Sequence, residues 1–164
     1  MDELHVVLAK EKDTNVVLEV LNEATQYKNK HSDDSWGSET WEPNEIKDTI
    51  QACNRYLVLI VRDVVGCFVL DWSDTLWPDD STDAAYIHQL AVKNRYHGLD
   101  IGSKILDIAA NIAKKNNKHL LRLDCHYDNK KLYEYYKKMN FKLQGTVKSK
   151  TANHTIALLQ KNLA

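Results

Sequence analysis

The stretch that decides the fold reads Ala85-Tyr86-Ile87-His88-Gln89-Leu90-Ala91-Val92, then His97-Gly98-Leu99-Asp100-Ile101-Gly102-Ser103-Lys104-Ile105-Leu106. Its first part is a short apolar run, as expected of a buried strand. Its second part passes through a glycine-containing loop into Ile101, Ile105, Ile108 and Ile112, spaced along one face of a helix. Leu120 to Cys125 then reads as a further strand. Strand, helix and strand over 85–125 imply a parallel pair with a right-handed crossover. A helix that opens directly after such a loop offers free backbone N–H groups, and its positive dipole end, to an anion. A plain strand-to-helix turn in which Gly98 only supplies a positive φ fits the same residues. GxGxxG and GK[ST] are both missing, so the dinucleotide fingerprint and the P-loop are excluded.

Upstream, Leu4–Leu8 reads as a first strand. Asp13 or Thr14 is placed to cap a helix whose apolar face is Val17, Val20, Leu21 and Ala24. The polar stretch 28–44, with Trp36 and Trp41, reads as a loop. Asn44 is placed to cap a short helix carrying Ile46, Ile50 and Cys53. Tyr56–Val61 and Gly66–Leu70 form a hairpin with a tight connection near Asp63. A loop from Asp71 to Asp83 holds Asp71, Asp74, Asp79, Asp80, Asp83, Trp72 and Trp77. Downstream of the crossover, Asn129 opens a helix with Leu132, Tyr135, Tyr136 and Met139 facing inward. Phe141–Val147 and Thr155–Leu159 finish as strands. The order implies a mixed, twisted α/β sheet with helices on both faces.

At 164 residues the chain is expected to be one domain, 1–164. Its net charge of −1 gives a nucleic-acid partner no support, and no apolar run is long enough for a membrane span. The N-terminus, MDELHVVLAK, lacks the apolar core of a secretory signal. Cys53, Cys67 and Cys125 show no CxxC spacing, which favours reduced thiols and a cytoplasmic setting over a disulfide frame or a zinc site. In that setting the Asn153-His154-Thr155 sequon carries no weight.

Set against known families, residues 97–102 resemble the acyl-CoA signature of the GNAT acetyltransferases, Q/R-x-x-G-x-G/A, with His97 in place of Gln/Arg and Asp100 in place of the central Gly. Asp is among the residues that tolerate a left-handed backbone best. Downstream, the family pattern N-x-x-A/L-x-x-L/Y-Y-x-x-x-G-F is matched by Asn129, Leu132, Tyr135, Tyr136 and Phe141, with Asn140 in place of Gly. The clear resemblance covers about residues 55–147. It implies a GNAT-like α/β (α+β) fold: a mostly antiparallel sheet of six to seven strands with a splayed parallel central pair and about four helices.

The resemblance also implies a site. Acetyl-CoA is the co-substrate, and no metal is expected. Its pantetheine arm pairs with the backbone of Leu90, Ala91 and Val92. Its pyrophosphate rests on the N–H groups of Gly98, Leu99, Asp100, Ile101, Gly102 and Ser103, and His97, at the signature's first position, is a further cofactor-binding residue. Asn129 bonds the pantetheine arm or simply caps its helix. Tyr136 takes the place of the family's general acid, or is a core tyrosine with a satisfied hydroxyl. His88 is the candidate base, because an imidazole titrates near neutrality and can take a proton from an ammonium; a half-buried strand histidine without chemistry fits as well. Strand alternation puts Tyr86, His88 and Leu90 on one face, so Tyr86 can line the same cleft. The acidic, tryptophan-bearing loop 71–83 can hold a cationic amine, with Trp36 and Trp41 as an opposite wall; a solvated loop and small satellite cores are the plainer alternatives. The implied acceptor is a primary amine of a small molecule, cationic amines included, with no nucleic acid or membrane. A non-catalytic acyl-CoA sensor and a protein N-acetyltransferase are the alternatives. A homodimer stays open.

Overall fold

The computed structural model describes residues 3–52, 54–149 and 154–164. Cys53, placed above on the face of the second helix, and the sequon asparagine Asn153 lie outside the described residues. In chain order the elements are β1 (Leu4–Leu8), α1 (Thr14–Lys30), α2 (Pro43–Gln51), β2 (Arg55–Ile60), β3 (Asp63–Asp71), β4 (Ala84–Val92), α3 (Ile101–Lys115), β5 (Leu120–His126), α4 (Lys130–Lys138), β6 (Lys142–Lys148) and β7 (Thr155–Asn162). The strands form one sheet in the order β1-β2-β3-β4-β5-β7-β6. β4 and β5 are its parallel pair, joined through α3, as the strand-helix-strand reading requires. The mixed, mostly antiparallel GNAT-like sheet with four helices is the fold that the resemblance implied.

The chain divides into two compact units. The first comprises residues 1–70 and 88–108. Its core joins Val17, Val20, Leu21 and Ala24 of α1 and Ile46 and Ile50 of α2 to Leu57, Cys67 and Ala91 of the strands. The apolar faces read from 3.6-residue spacing are therefore the buried faces. The helix boundaries moved. A 3₁₀ turn at Glu11–Asp13 precedes α1, with the Lys10 N–H donating to the Asp13 carboxylate at 2.8 Å. α1 also continues to Lys30, so residues 28–30 are helical rather than loop; lysines in that last turn suit the negative end of the dipole. Helix α2 starts at Pro43, one residue before the expected Asn44 cap, because proline is pre-set for the first helical position. Of the hairpin strands, β2 keeps the expected length but starts one residue earlier, while β3 extends at both ends and carries one extra residue: Val58 pairs Gly66 while Leu59 pairs Val64.

The second unit comprises residues 71–87 and 109–164. Here β5 pairs β7 from Leu120↔Asn162 to His126↔Ile156, and β7 pairs β6. Trp77, Ala84, Tyr86 and Leu158 form one buried cluster within it. Arg122, 4% exposed, organises it. Its guanidinium donates to Gln160 Oε1 at 2.8 Å, to the Tyr86 hydroxyl at 3.1 Å, and to the carbonyl and carboxylate of Asp79 at 3.0–3.3 Å. It also lies 4.2 Å from the Trp77 ring. The loop 71–83 is thus pinned to β5 by a cation from the chain itself. Asp79 is mostly solvent-exposed, so the ion pair alone is worth little. Its loss, however, strips a buried guanidinium of charge-assisted bonds. Asp79→Ala is expected to lower stability by about 2 kcal/mol, against less than about 0.5 kcal/mol for the exposed Asp107→Ala, in denaturant melts.

Candidate active site

The predicted site residues fall on two stretches, one in each unit. In the first, β4 runs out through Leu90, Ala91 and Val92 into a 3₁₀ turn at Asn94–Tyr96, the loop 97–100 and α3. The parallel register with β5 covers Ala84–Tyr86 against Leu120–Arg122, whereas β4 continues to Val92. Gln89 has φ +50°, a left-handed residue inside a strand, which bends the chain locally as a bulge does. The strict alternation expected through Tyr86, His88 and Leu90 therefore fails at this point. His88, Gln89 and Leu90 are all half-buried, while Ala91 returns to the core. Sequence spacing cannot show such a bend, since glutamine is not among the residues, such as glycine, asparagine and aspartate, that flag a positive φ.

Past the strand, His97 turns its ring back, with Nε2 3.1 Å from the Val92 carbonyl, and packs edge-on against Tyr27. Its own N–H donates to the Asn94 carbonyl at 3.0 Å. Gly98 has φ +83° and Asp100 φ +59°. Both residues thus adopt the backbone that glycine adopts most easily, and Asp100, at the signature's central glycine position, does so as the residue that opens α3. The Asp100 carbonyl accepts from the Ser103 hydroxyl at 3.1 Å and from the Lys104 N–H at 3.4 Å. Leu99 is exposed, and Ile101 and Ser103 are buried under the first turn. The N–H groups of that first turn have no carbonyl one turn earlier within the helix to bond.

In the second unit, Asn129 caps α4: its Oδ1 accepts the Leu132 N–H at 3.2 Å. Tyr136 lies in the last turn of α4. Its ring is half-buried, 5.6 Å from Tyr135 and 5.9 Å from Phe141, at interplanar angles of 63° and 66°. No residue of α4 is fully buried, so its inward face is half-covered rather than core. Asn140, φ +70°, ends the helix, with its N–H on the Lys137 carbonyl at 3.0 Å and the Phe141 N–H on the Tyr136 carbonyl at 3.1 Å. These two bonds make a Schellman stop, with asparagine in the place glycine usually takes.

Several expectations need correction. Tyr86 does not line a cleft: it is fully buried, and its hydroxyl meets Arg122 and the Ser81 N–H. Trp77 and Asp79 already hold Arg122, so they do not form an open cation trap. Trp36 and Trp41 pack edge-to-face at 5.6 Å against the first unit's core, with the Trp41 indole donating to Thr25 Oγ1 at 2.9 Å. They are a satellite core, the plainer reading.

Arg55 was missed. It is fully buried, and its guanidinium donates to Thr49 Oγ1 at 3.1 Å, to Cys67 Sγ at 3.9 Å and to Gln89 Oε1. Burial, opposed by Arg55, pushes the Cys67 thiol up to about 11, so it stays a neutral packing group. Period-2 spacing was the available signal, since it puts Arg55 on the same face as the buried Leu57. Gly66 was the other omission. A Cβ there would lie 2.4 Å from the Ala91 carbonyl oxygen, so β3 and β4 approach more closely than a side chain allows.

Residues 17–141 match the family described as the Acetyltransferase (GNAT) family. An uncharacterized N-acetyltransferase of Bacillus subtilis (strain 168), YesJ, is 34% identical over 76 residues, which cover 46% of this chain and 42% of YesJ. This chain therefore matches less than half the length of that curated relative. A GNAT-family acetyltransferase from Listeria monocytogenes 4b F2365 superimposes with a TM-score of 0.83 at 19% identity, covering 99% of this chain and 96% of that one. The structure of yncA, a putative acetyltransferase from Salmonella typhimurium with its cofactor acetyl-CoA, does so with a TM-score of 0.75 at 13% identity, over 99% and 95%. With a family match across most of its length and this fold, the chain belongs to the GNAT family of acetyltransferases.

Proposed function

We propose that residues 1–164 act as one domain that moves the acetyl group of acetyl-CoA to the primary amine of a small molecule by direct attack in a ternary complex. The observation that carries this reading is the left-handed turn at Gly98 and Asp100 opening α3 at the end of β4. Loop and helix N–H groups suit a pyrophosphate, and the dipole end favours its charge. The backbone of Leu90, Ala91 and Val92, beyond the register that β4 shares with β5, suits the amides of a pantetheine arm, as in strand addition. The Salmonella neighbour, seen with acetyl-CoA, supports the choice of donor.

The chemistry then runs as follows. The ammonium of the acceptor loses a proton to His88, directly or through water, and the free amine attacks the thioester carbonyl. The backbone N–H near Leu90 stabilises the oxyanion, worth roughly 3 kcal/mol per donor in other enzymes. The tetrahedral intermediate collapses with cleavage of the C–S bond; Tyr136 gives its phenolic proton to the departing thiolate, and the second proton of the former ammonium, lost from nitrogen as the amide forms, passes through water to restore the tyrosine. Asn129 caps α4, and its amide N–H₂ is the further proposed donor to the pantetheine arm.

Acetyl-CoA at 100 times its dissociation constant is expected to stabilise the protein by roughly 2.7 kcal/mol. A thermal-shift titration checks this, and no shift at millimolar acetyl-CoA sinks the reading. Release of CoA thiol is then followed across amines, amino acids, polyamines, aminoglycosides and peptide N-termini. Turnover on a small amine fits the proposal. Turnover on peptides alone makes the chain a protein acetyltransferase, and binding without turnover on any acceptor makes it a sensor.

A further inference from the structure

We infer that Arg55 is a positioning residue for the reaction: through Gln89 it holds the bend in β4 that aims His88 and the Leu90 N–H. The inference rests on the acetyl-transfer reading of β4. Three facts carry it. Gln89 is the only left-handed residue within a strand among the described residues, and it stands between the candidate base and the candidate oxyanion donor. Glutamine has no steric reason to take φ +50°, so something outside its own backbone must favour that state. Its side-chain oxygen accepts from a guanidinium that is itself fully buried.

The guanidinium is well suited to this. Its planar fork cannot rotate one donor without moving the others. The Nε–H is fixed on Thr49 of α2 and Nη1 on Cys67 of β3, which leaves Nη2 aimed at Gln89. A buried arginine also makes breaking the bond unfavourable, since the donor left behind finds no water. The bend is thereby tied to α2 and β3, neither of which carries a proposed catalytic group. Arg55 touches no reacting atom on this account; it acts through Gln89.

The test compares Arg55→Met, Gln89→Ala, Gln89→Gly and the double variant Arg55→Met/Gln89→Gly, each assayed with the best amine of the panel. Arg55→Met and Gln89→Ala are expected to lower kcat by about thirtyfold with KM for acetyl-CoA changed less than about threefold, the signature of lost transition-state alignment. Gln89→Gly keeps kcat within about threefold of wild type, because glycine holds the left-handed state unaided. Adding Arg55→Met to it costs less than about threefold more, since the two act as one unit. An equal loss from Arg55→Met in both backgrounds, or from Gln89→Ala and Gln89→Gly alike, overturns the inference. If Arg55→Met does not fold, the two Gln89 variants decide it by that same comparison. A crystal structure of Gln89→Ala decides it independently of turnover: residue 89 relaxed to negative φ supports the inference, and residue 89 still near +50° overturns it. Failure of wild type to bind acetyl-CoA sinks acetyl transfer itself but leaves that structural result able to decide what holds the bend.

Discussion

Replacing Tyr136 by phenylalanine is expected to lower turnover by a factor of roughly 10² to 10⁴ while acetyl-CoA affinity stays within about threefold. The substitution removes one oxygen and keeps the ring. That ring packs at 5.6 Å on Tyr135 and 5.9 Å on Phe141, and both contacts survive. The backbone part of the residue survives too, since the Tyr136 carbonyl accepts the Phe141 N–H that closes the helix. What disappears is the phenolic proton, and with it the group proposed to neutralise the thiolate as the C–S bond breaks. Loss confined to kcat is therefore the expected pattern. Parallel measurements of kcat, of acetyl-CoA binding and of the melting midpoint separate the cases. Turnover retained within about threefold leaves Tyr136 as a packing residue and gives the thiolate's proton to water.

The Schellman stop sharpens what the Tyr136-to-Phe141 spacing means. In that motif the residue at C3 and the residue at C″ touch, and the residue between helix and contact takes a left-handed backbone. Tyr136, Phe141 and Asn140 fill those three roles. Much of the sequence pattern thus specifies how α4 ends, and any apolar residue at 136 serves that purpose. Only the hydroxyl goes beyond it, which makes phenylalanine the informative substitution and alanine an ambiguous one.

The fold was readable because it rests on periodicity. Val17, Val20, Leu21 and Ala24 could face a core only as a helix, and the crossover from β4 through α3 to β5 fixed a parallel pair. The candidate site could be proposed from the sequence because His97, Asp100 and Gly102 fall in the register of a known signature. Two kinds of feature stayed hidden. One is backbone conformation at residues whose type does not announce it, such as Gln89 at φ +50°. The other is polar burial, because an arginine in a sequence reads as surface. Arg55 and Arg122 are both almost wholly buried, one beneath the bend in β4 and the other beneath the loop 71–83. Most of their partners lie far away in sequence, and the only local mark is the period-2 spacing that sets Arg55 on the face of Leu57. The mistaken expectation of an open cation trap follows from this: the acid and indole of that loop were legible, but the arginine that occupies them was not.

Gly66→Ala is the second large effect expected. Gly66 pairs with Val58 in the hairpin, and a Cβ built on it would sit 2.4 Å from the Ala91 carbonyl oxygen and 3.5 Å from the Val92 Cα. The obstacle is backbone, so no rotamer change relieves it and β4 itself must shift. The end of that strand is tethered, with the Lys93 N–H on the Val65 carbonyl at 2.8 Å, and Ala91 is part of the first unit's core. Movement there strains a bond and loosens packing together, at a cost of about 3 kcal/mol, the upper range for overpacked sites. For a chain of this size that lowers the melting midpoint by roughly 6 to 12 °C. The same shift displaces Leu90, Ala91 and Val92, the edge proposed to pair with the pantetheine arm, so KM for acetyl-CoA should rise about tenfold, equivalent to 1.4 kcal/mol of lost binding. Gly145→Ala is the matched control: it too lies in a strand, but a Cβ there meets nothing within 4 Å. Its melting midpoint and KM should stay at wild-type values. A Gly66→Ala protein that melts within about 1 °C of wild type and binds acetyl-CoA normally means that β3 and β4 separate freely, and that the close approach does not set the position of the acyl-CoA edge.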